Sequence, residues 1–478
     1  MKLSLNWLNQ YIDHGLSADE LAHRMTMAGL EVEHIERVGE DTVFEIEVTP
    51  NRPDALSILG LAREVSAIVD KDLKAPEVSD LEDAGSVDIA IEDAEGCGRY
   101  IGTVIEGVSV KASPLDQQKL LGAMGSNGIS NIVDITNFVL FEYGQPLHAF
   151  DLDKLEGGKI IIRRAKRGEK ITTLDGIERA LDESILVIAD AKKPVAIAGI
   201  MGGMATGVTA STRRVILESA YFDLGIVRRA SRRLGLTSDA AYRFERGVAF
   251  RTVETASNRA ADLILKMAGG QIVARRDVVA REVKAARQEI QVSQNDIENL
   301  IGASLDAPRC EKILKRLGCI VAPGKKSLVV IPPHWRGDLK IKEDVIEEVG
   351  RVIGYDNLPQ SLPRVQAINI PVDLNREDFF NKASEILVGQ GLNQIMTYSL
   401  ISRAALENVR YAGTKPVALQ NPMSAEQEIM PPTLMPGFLN VAAFNIHRGA
   451  RDLGLFEVAK RYLPGGERWT LGILLTGR

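Results

Sequence analysis

The chain of 478 residues is poor in several things, and each shortage narrows its chemistry. It has three cysteines, Cys97, Cys310 and Cys319, and no two of them stand at the spacing of zinc ligands. That usage fits a reducing compartment and excludes a disulfide framework. No run of about 18 apolar residues occurs, so no membrane-spanning helix is expected. The opening MKLSLNWLNQYID soon meets polar residues and lacks the apolar core of a signal peptide. There is no excess of positive charge: the net charge is −6. A protein that grips nucleic acid over a wide face is usually basic, so any such contact here must be local or shared with a partner. CxxC and HExxH are missing, as is a Gly-flanked Ser or Cys nucleophile. A hydrolytic site in this chain is therefore expected to position a water and to form no covalent intermediate. GIMGG (199–203) lacks the spacing and the GK[ST] ending of a phosphate loop. No fixed-period repeat or low-complexity tract is present.

What is there reads as an α+β multidomain chain. Hydrophobic residues make up 45% and charged residues 26%, enough for several cores. Residues 1–75 form a small first unit. Ser17-Ala18-Asp19-Glu20 opens a helix, EVEHIERV and VFEIEVTP alternate as strands, and LSILGLAREVSAIV has helical spacing. Residues 76–94 are polar and read as a linker. Residues 95–270 form a mixed α/β domain whose strand-like runs (YIGTVIEGV, GKIIIRRA, ILVIAD, PVAIAGI, RVILESA) end in the helix VETASNRAADLILKMA. Residues 286–359 have the helix, hairpin and helix order of a winged-helix module. Residues 372–478 open another unit, and LGILLTGR reads as a strand.

Two stretches carry unusual polarity. In PPHWRGDLKIKEDVIEEVGRVIGYD (332–356), a helical wheel puts Val345, Ile346, Val349, Val352 and Ile353 on one arc. Asp344, Glu347, Glu348 and Arg351 fall opposite. These carboxylates, with Asp338 just before the helix, suit either a solvated face with a Glu347–Arg351 pair or a hard-cation site of the Mg²⁺ type. In NIVDITNFVLFEYGQPLHAFD (131–151), Asp134, Thr136, Asn137 and His148 gather polar groups among apolar ones, and Gly144-Gln145-Pro146 sets the turn before His148. Downstream, Glu218 stands inside the apolar run ILESA, where a carboxylate must find a partner. This set reads either as a site or as a polar network supporting the fold. The basic run RRASRR (228–233) suits a solvated helix face or a phosphate contact.

Together, MTMAGLEVE (25–33), VTPNRPDALSILGLARE (48–64), VDITNFVLFEYGQPLHAFDLDKL (133–155), AIAGIMGG (196–203), SDAAYRFERGV (238–248), the 332–359 stretch and DLGLFEVAKRY (452–462) closely resemble the beta subunit of bacterial phenylalanyl-tRNA synthetase. The resemblance implies an α₂β₂ ligase in the cytoplasm. Its alpha subunit binds ATP and phenylalanine and charges tRNA(Phe). Its beta subunit carries a separate editing site that hydrolyses Tyr-tRNA(Phe). It also implies a B1-like first unit, a B3/B4-like editing domain at 95–270, a B5-like winged-helix module at 286–359 and an incomplete, catalytically inactive class II synthetase-like module from 372. The editing residues carry over to Thr136, Asn137, His148, Ala198, Gly199 and Glu218. The Mg²⁺ ligands carry over to Asp338, Asp344, Glu347 and Glu348. The editing chemistry has a physical reason: an apolar phenylalanine pocket cannot strongly reject a ligand that only adds a hydroxyl, so a second site must accept that hydroxyl.

The sequence departs from the family pattern in three places. HIERVGEDTVFEIEVTPNRPD runs through where many members insert an OB-fold. The anticodon-binding domain in which members usually end lies outside these 478 residues. Pro431 stands where an Arg is usual. A short or truncated form is expected. Two other functions stay open on the sequence: a free-standing hydrolase that edits in trans, and a non-catalytic nucleic-acid-binding protein using the winged-helix-like module.

Overall fold

The computed structural model describes residues 1–281, 288–324, 327–360 and 374–477. The expected starts of the last two modules, at 286 and 372, lie outside the described residues, as does Arg478. The chain forms two compact units, Met1–Ser361 and Leu362–Arg478. Mixed helices and largely antiparallel sheets make it α+β. No helix among the described residues is long and apolar enough to cross a membrane.

In the first unit, Lys2–Ser4, Asp41–Ile46 and Val32–Val38 form a three-stranded sheet. The helices Ala18–Met27 and Ile58–Val69 belong to the same module. The capping signal at Ser17 is real: its hydroxyl accepts from Glu20 N at 3.3 Å.

The middle module is built on two sheets. One is antiparallel, in the order Gln271–Val279, Cys97–Glu106, Arg214–Phe222, Leu147–Asp151. The other has five strands, in the order Met201–Gly202, Pro194–Ile197, Leu186–Ala189, Lys159–Arg164, Asp88–Ile91. The last strand corrects the linker reading of 76–94. Asp88–Ile91 pairs in parallel with Lys159–Arg164, and its Val87 and Ile89 flank are buried. A short apolar alternation, VDIAI, was enough to make an edge strand inside a polar stretch.

Strand alternation decides which residues meet. Along Arg214–Phe222, Val215 and Leu217 turn to one side and join the core of the helices Asn131–Tyr143 and Thr252–Ala268. Ile216, Ala220 and Phe222 turn to the other and pack with the second sheet. Alanines 256, 260 and 261 on the long helix are buried in the first of these cores. Glu218 therefore lies on the face between the sheets.

The module after residue 288 has a three-stranded sheet, Ile290–Ser293, Ser327–Ile331 and Ile320–Pro323, with helices Gln294–Ile301, Ala307–Arg316 and Lys342–Ile353. In the second unit, Asn393–Gln394, Leu453–Leu463 and Gly466–Thr476 form a sheet, and Leu374–Gly389 and Met435–Ile446 are its longer helices. The strand read at LGILLTGR is present within Gly466–Thr476. Pro431 is buried, and its carbonyl accepts from Tyr462 N at 2.8 Å.

Candidate functional site

Glu218 sits in register between Gly102 on one neighbouring strand and His148 on the other. Its side chain faces the interior between the sheets. Its one hydrogen-bond partner among the described residues is Tyr100, whose O–H donates to Glu218 Oε2 at 3.0 Å. Burial drives the Glu218 carboxyl up to about 8, against a downward pull from that hydrogen bond. At neutral pH most of it is a neutral acid. His148 stands opposite. Burial pushes its imidazole down to about 4, so it too is neutral. Its Nε2 is buried and has no hydrogen-bond partner among the described residues. Its ring meets Phe150 edge to face at 4.4 Å between centroids. A neutral acid facing an imidazole nitrogen with no internal acceptor or donor is a polar pair left for something else to complete.

Gly202, missed by the sequence reading, closes on this pair. A Cβ there would lie 2.5 Å from His148 Cε1 and 2.8 Å from Nε2, so only glycine lets the ring rest against that strand. Gln145, read in the sequence as part of the turn before His148, has a further role. Fully buried in the turn before His148, it donates to Ala220 O at 2.9 Å and ties that turn to the Glu218 strand.

The other expected residues are placed differently. Ala198 and Gly199 form the turn between Pro194–Ile197 and Met201–Gly202. Gly199, with φ +70°, presses its bare Cα towards Phe244, Phe222 and Val227, not towards His148. Thr136 and Asn137 lie on the helix Asn131–Tyr143, which covers the opposite face of the Glu218 sheet. The Thr136 hydroxyl donates to Val133 O at 2.7 Å, within its own helix. Asn137 is half-buried with no described hydrogen bond. No described contact joins these two to His148 or Glu218. Asp134 is a local device: it accepts from Ser113 Oγ at 2.6 Å and Ile129 N at 2.8 Å.

The acidic helix Lys342–Ile353 corrects two expectations. Its apolar arc is right: Val345, Ile346, Val349 and Ile353 are buried. The opposite arc is not all solvent, because Glu348 and Arg351 are buried too. Arg351 pairs with Glu348, at 2.7 and 2.6 Å, and with Glu64, at 2.6 and 3.1 Å, and not with Glu347. Arg336 bonds both oxygens of Asp338, at 2.9 and 2.7 Å, and reaches Glu348. Arg52 holds Asp54 at 2.9 Å and Glu64 at 2.5 Å. Burial works to raise the Glu64 and Glu348 carboxyls, and the arginines overcome it. Arg351 and Arg52 hold Glu64 at about 2, and Arg351 and Arg336 keep Glu348 well below the usual range.

The four residues expected to hold Mg²⁺ do not converge. Asp338 and Glu348 are committed to arginines. Asp344 Oδ2 caps the helix, accepting from Lys340 N at 2.7 Å and Ile341 N at 3.0 Å. Glu347 is exposed. Among the described residues no group of three or more His, Cys, Asp or Glu could hold a metal ion. The residues present do not fit the cation, because guanidinium groups already supply the positive charge.

A cleft of about 1470 Å³ is lined by Arg99, Tyr221, Phe250, Arg251, His334 and Lys340 among others, and by none of the ten expected site residues. The RRASRR run lies on the helix Leu224–Leu234 with its four arginines exposed, as for a solvated face.

Comparison with known proteins gives these modules a family. Residues 96–269 match the B3/4 domain, 290–355 the tRNA synthetase B5 domain, and 358–478 the phenylalanyl tRNA synthetase beta chain CLM domain. The phenylalanine–tRNA ligase beta subunit of Carboxydothermus hydrogenoformans is 43% identical over 444 residues, 91% of this chain and 55% of the relative. That of Moorella thermoacetica is 42% identical over 446 residues, 90% of this chain and 54% of the relative. The chain thus spans about half the length of these relatives. The beta subunit of Rhodopirellula baltica is 38% identical over 474 residues, 97% of this chain and 68% of the relative. On that likeness, carried along nearly its whole length, the chain belongs to the phenylalanine–tRNA ligase beta subunit family.

Proposed function

We propose that this chain is a beta subunit that joins an alpha partner in an α₂β₂ cytoplasmic ligase and hydrolyses Tyr-tRNA(Phe) in its 96–269 module. ATP and phenylalanine are proposed to bind the alpha subunit. One observation carries the editing reading: Glu218 and His148 face each other in register on the inner face of the sheet, both neutral near pH 7, with His148 Nε2 unsatisfied. In this reading the Glu218 carboxyl meets the phenolic hydroxyl of a mischarged tyrosyl group, which phenylalanine lacks. His148 is the group available to hold a water or the ester. Thr136, Asn137, Ala198 and Gly199 are proposed as editing residues on the strength of their match to the family pattern, and not of any contact with His148 or Glu218.

The test is His148→Ala with Glu218→Ala in the assembled enzyme. Tyr-tRNA(Phe) hydrolysis is expected to fall by about 100-fold or more, the weight of a general acid–base group, while phenylalanine charging is nearly unchanged. Equal losses in both activities would refute the separation of sites. Hydrolysis by the chain without alpha at the full rate would favour an enzyme that edits in trans.

A further inference from the structure

We propose that Tyr100 is a positioning residue that sets specificity at this site, by fixing which oxygen of Glu218 is offered to a phenol. The inference rests on the editing reading of Glu218 given above. Tyr100 lies on Cys97–Glu106, fully buried, opposite Ala220, which is two residues along the strand from Glu218. The two side chains are therefore diagonal neighbours on one face of the sheet. Directly opposite Glu218 stands Gly102, so no side chain intervenes between them.

A buried carboxyl without partners turns freely about its last torsion and presents either oxygen. Here the Tyr100 O–H takes Oε2 at 3.0 Å, and no other described group bonds Glu218. Oε1 is left as the oxygen available to a ligand. The internal pair is itself a phenol on a carboxyl, the contact that a tyrosyl group would make with the second oxygen. A carboxyl held in this way needs no reorganisation when the second phenol arrives. Tyr100 touches neither the ester nor the attacking water in this scheme, so its effect is confined to how well Glu218 tells a hydroxylated side chain from a bare ring.

Tyr100→Phe keeps the ring and removes the donor. The measurement is kcat/KM for hydrolysis of Tyr-tRNA(Phe) and of Phe-tRNA(Phe) by the alpha–beta complex, across pH, for wild type, Tyr100→Phe and Glu218→Ala. Tyr100→Phe is expected to lower the tyrosyl rate roughly tenfold, the weight of one hydrogen bond at a buried acceptor. The phenylalanyl rate is expected to change by less than about twofold, a surface-like effect. The pH limb governed by Glu218 is expected to move up, because the Tyr100 hydrogen bond favours the ionised carboxylate. A merely structural tyrosine predicts equal losses on both esters and an unmoved limb, and that result overturns the proposal. If Glu218→Ala abolishes tyrosyl hydrolysis and Tyr100→Phe leaves it at the wild-type rate, the inference alone fails. If Glu218→Ala changes nothing, the reading of the site fails and the inference with it.

Discussion

Glu218 shows what a single buried carboxyl does to a fold. Its folded-state value is raised from the ordinary carboxylate range to about 8 by burial. Below pH 4.5 the carboxyl is protonated in both folded and unfolded chains and costs nothing. Between about 4.5 and 8 the unfolded chain releases the proton and the folded one keeps it, so stability is lost as pH rises through that window. Glu218→Gln removes the titration and still accepts from Tyr100. It is expected to match wild type at pH 4.5 and to exceed it at pH 9 by roughly 2–4 kcal/mol. Urea unfolding at the two pH values checks this, and a variant no more stable at pH 9 than at pH 4.5 relative to wild type would sink it. On the proposed reading, a stability gain with loss of editing is the trade expected at a functional site. The oddity of Glu218 was legible, since a carboxylate inside ILESA needs a partner. The partner was not. Tyr100 is 118 residues away, and only strand pairing, which one sequence does not state, brings the two together. Gly202 was passed over for the same reason: the ring it admits comes from another sheet.

At the scale of the element, the helix Lys342–Ile353 was read correctly in its period and wrongly in its surroundings. A helical wheel separates apolar from polar, and polar is then taken for solvent. This helix has a second neighbour. Glu64 on Ile58–Val69 lies 287 residues from Arg351, and the wheel contains no term for it. Glu348 is 4% exposed, so its charge is compensated by Arg336 and Arg351 and not by water. Removing one member of such a set leaves a buried charge unpaired. Glu348→Gln is expected to destabilise the first unit by about 3 kcal/mol. Glu347→Gln, on the exposed arc, is expected to change stability by less than about 0.5 kcal/mol. The two glutamates, equivalent on the sequence, part company here. Because arginines neutralise the cluster, the melting temperature of the chain is expected to be the same in Mg²⁺ and in chelator. A rise of several degrees on adding Mg²⁺ would mean that a cation displaces an arginine after all.

Across the whole molecule, the order of modules was visible in the sequence and their fusion was not. The first three expected modules fall into one compact unit, and polar contacts, several of them buried, tie the first module to each of the other two. Tyr11 from the first module donates to Glu142 in the middle one, which Arg259 also holds at 3.0 Å. Arg243 reaches back to Leu56 O at 3.2 Å. Arg316 and Lys312 both bind Asp70 at 2.5 Å, and Arg351 binds Glu64. Each link joins residues more than about 100 positions apart, beyond the reach of local pattern. The three tryptophans of the chain are well placed to test the fusion. Trp7 lies in the first module and Trp335 in the last module of unit one, with Arg63 stacked 4.1 Å from its ring. Trp469 lies in unit two. In variants keeping one tryptophan each, Trp7 and Trp335 are expected to report a single unfolding midpoint, whatever Trp469 reports. Acid should shift that shared midpoint. Glu64 is held at about 2 when folded, against about 4.5 as the ordinary value, so its contribution is present above pH 4.5 and is lost as pH falls through about 2. Fluorescence melts from pH 6 to pH 2 should therefore move Trp7 and Trp335 down together. If the Trp335 transition instead falls away from that of Trp7, the module after residue 288 unfolds by itself, and the arginine–carboxylate cluster is a surface decoration and not the weld described here.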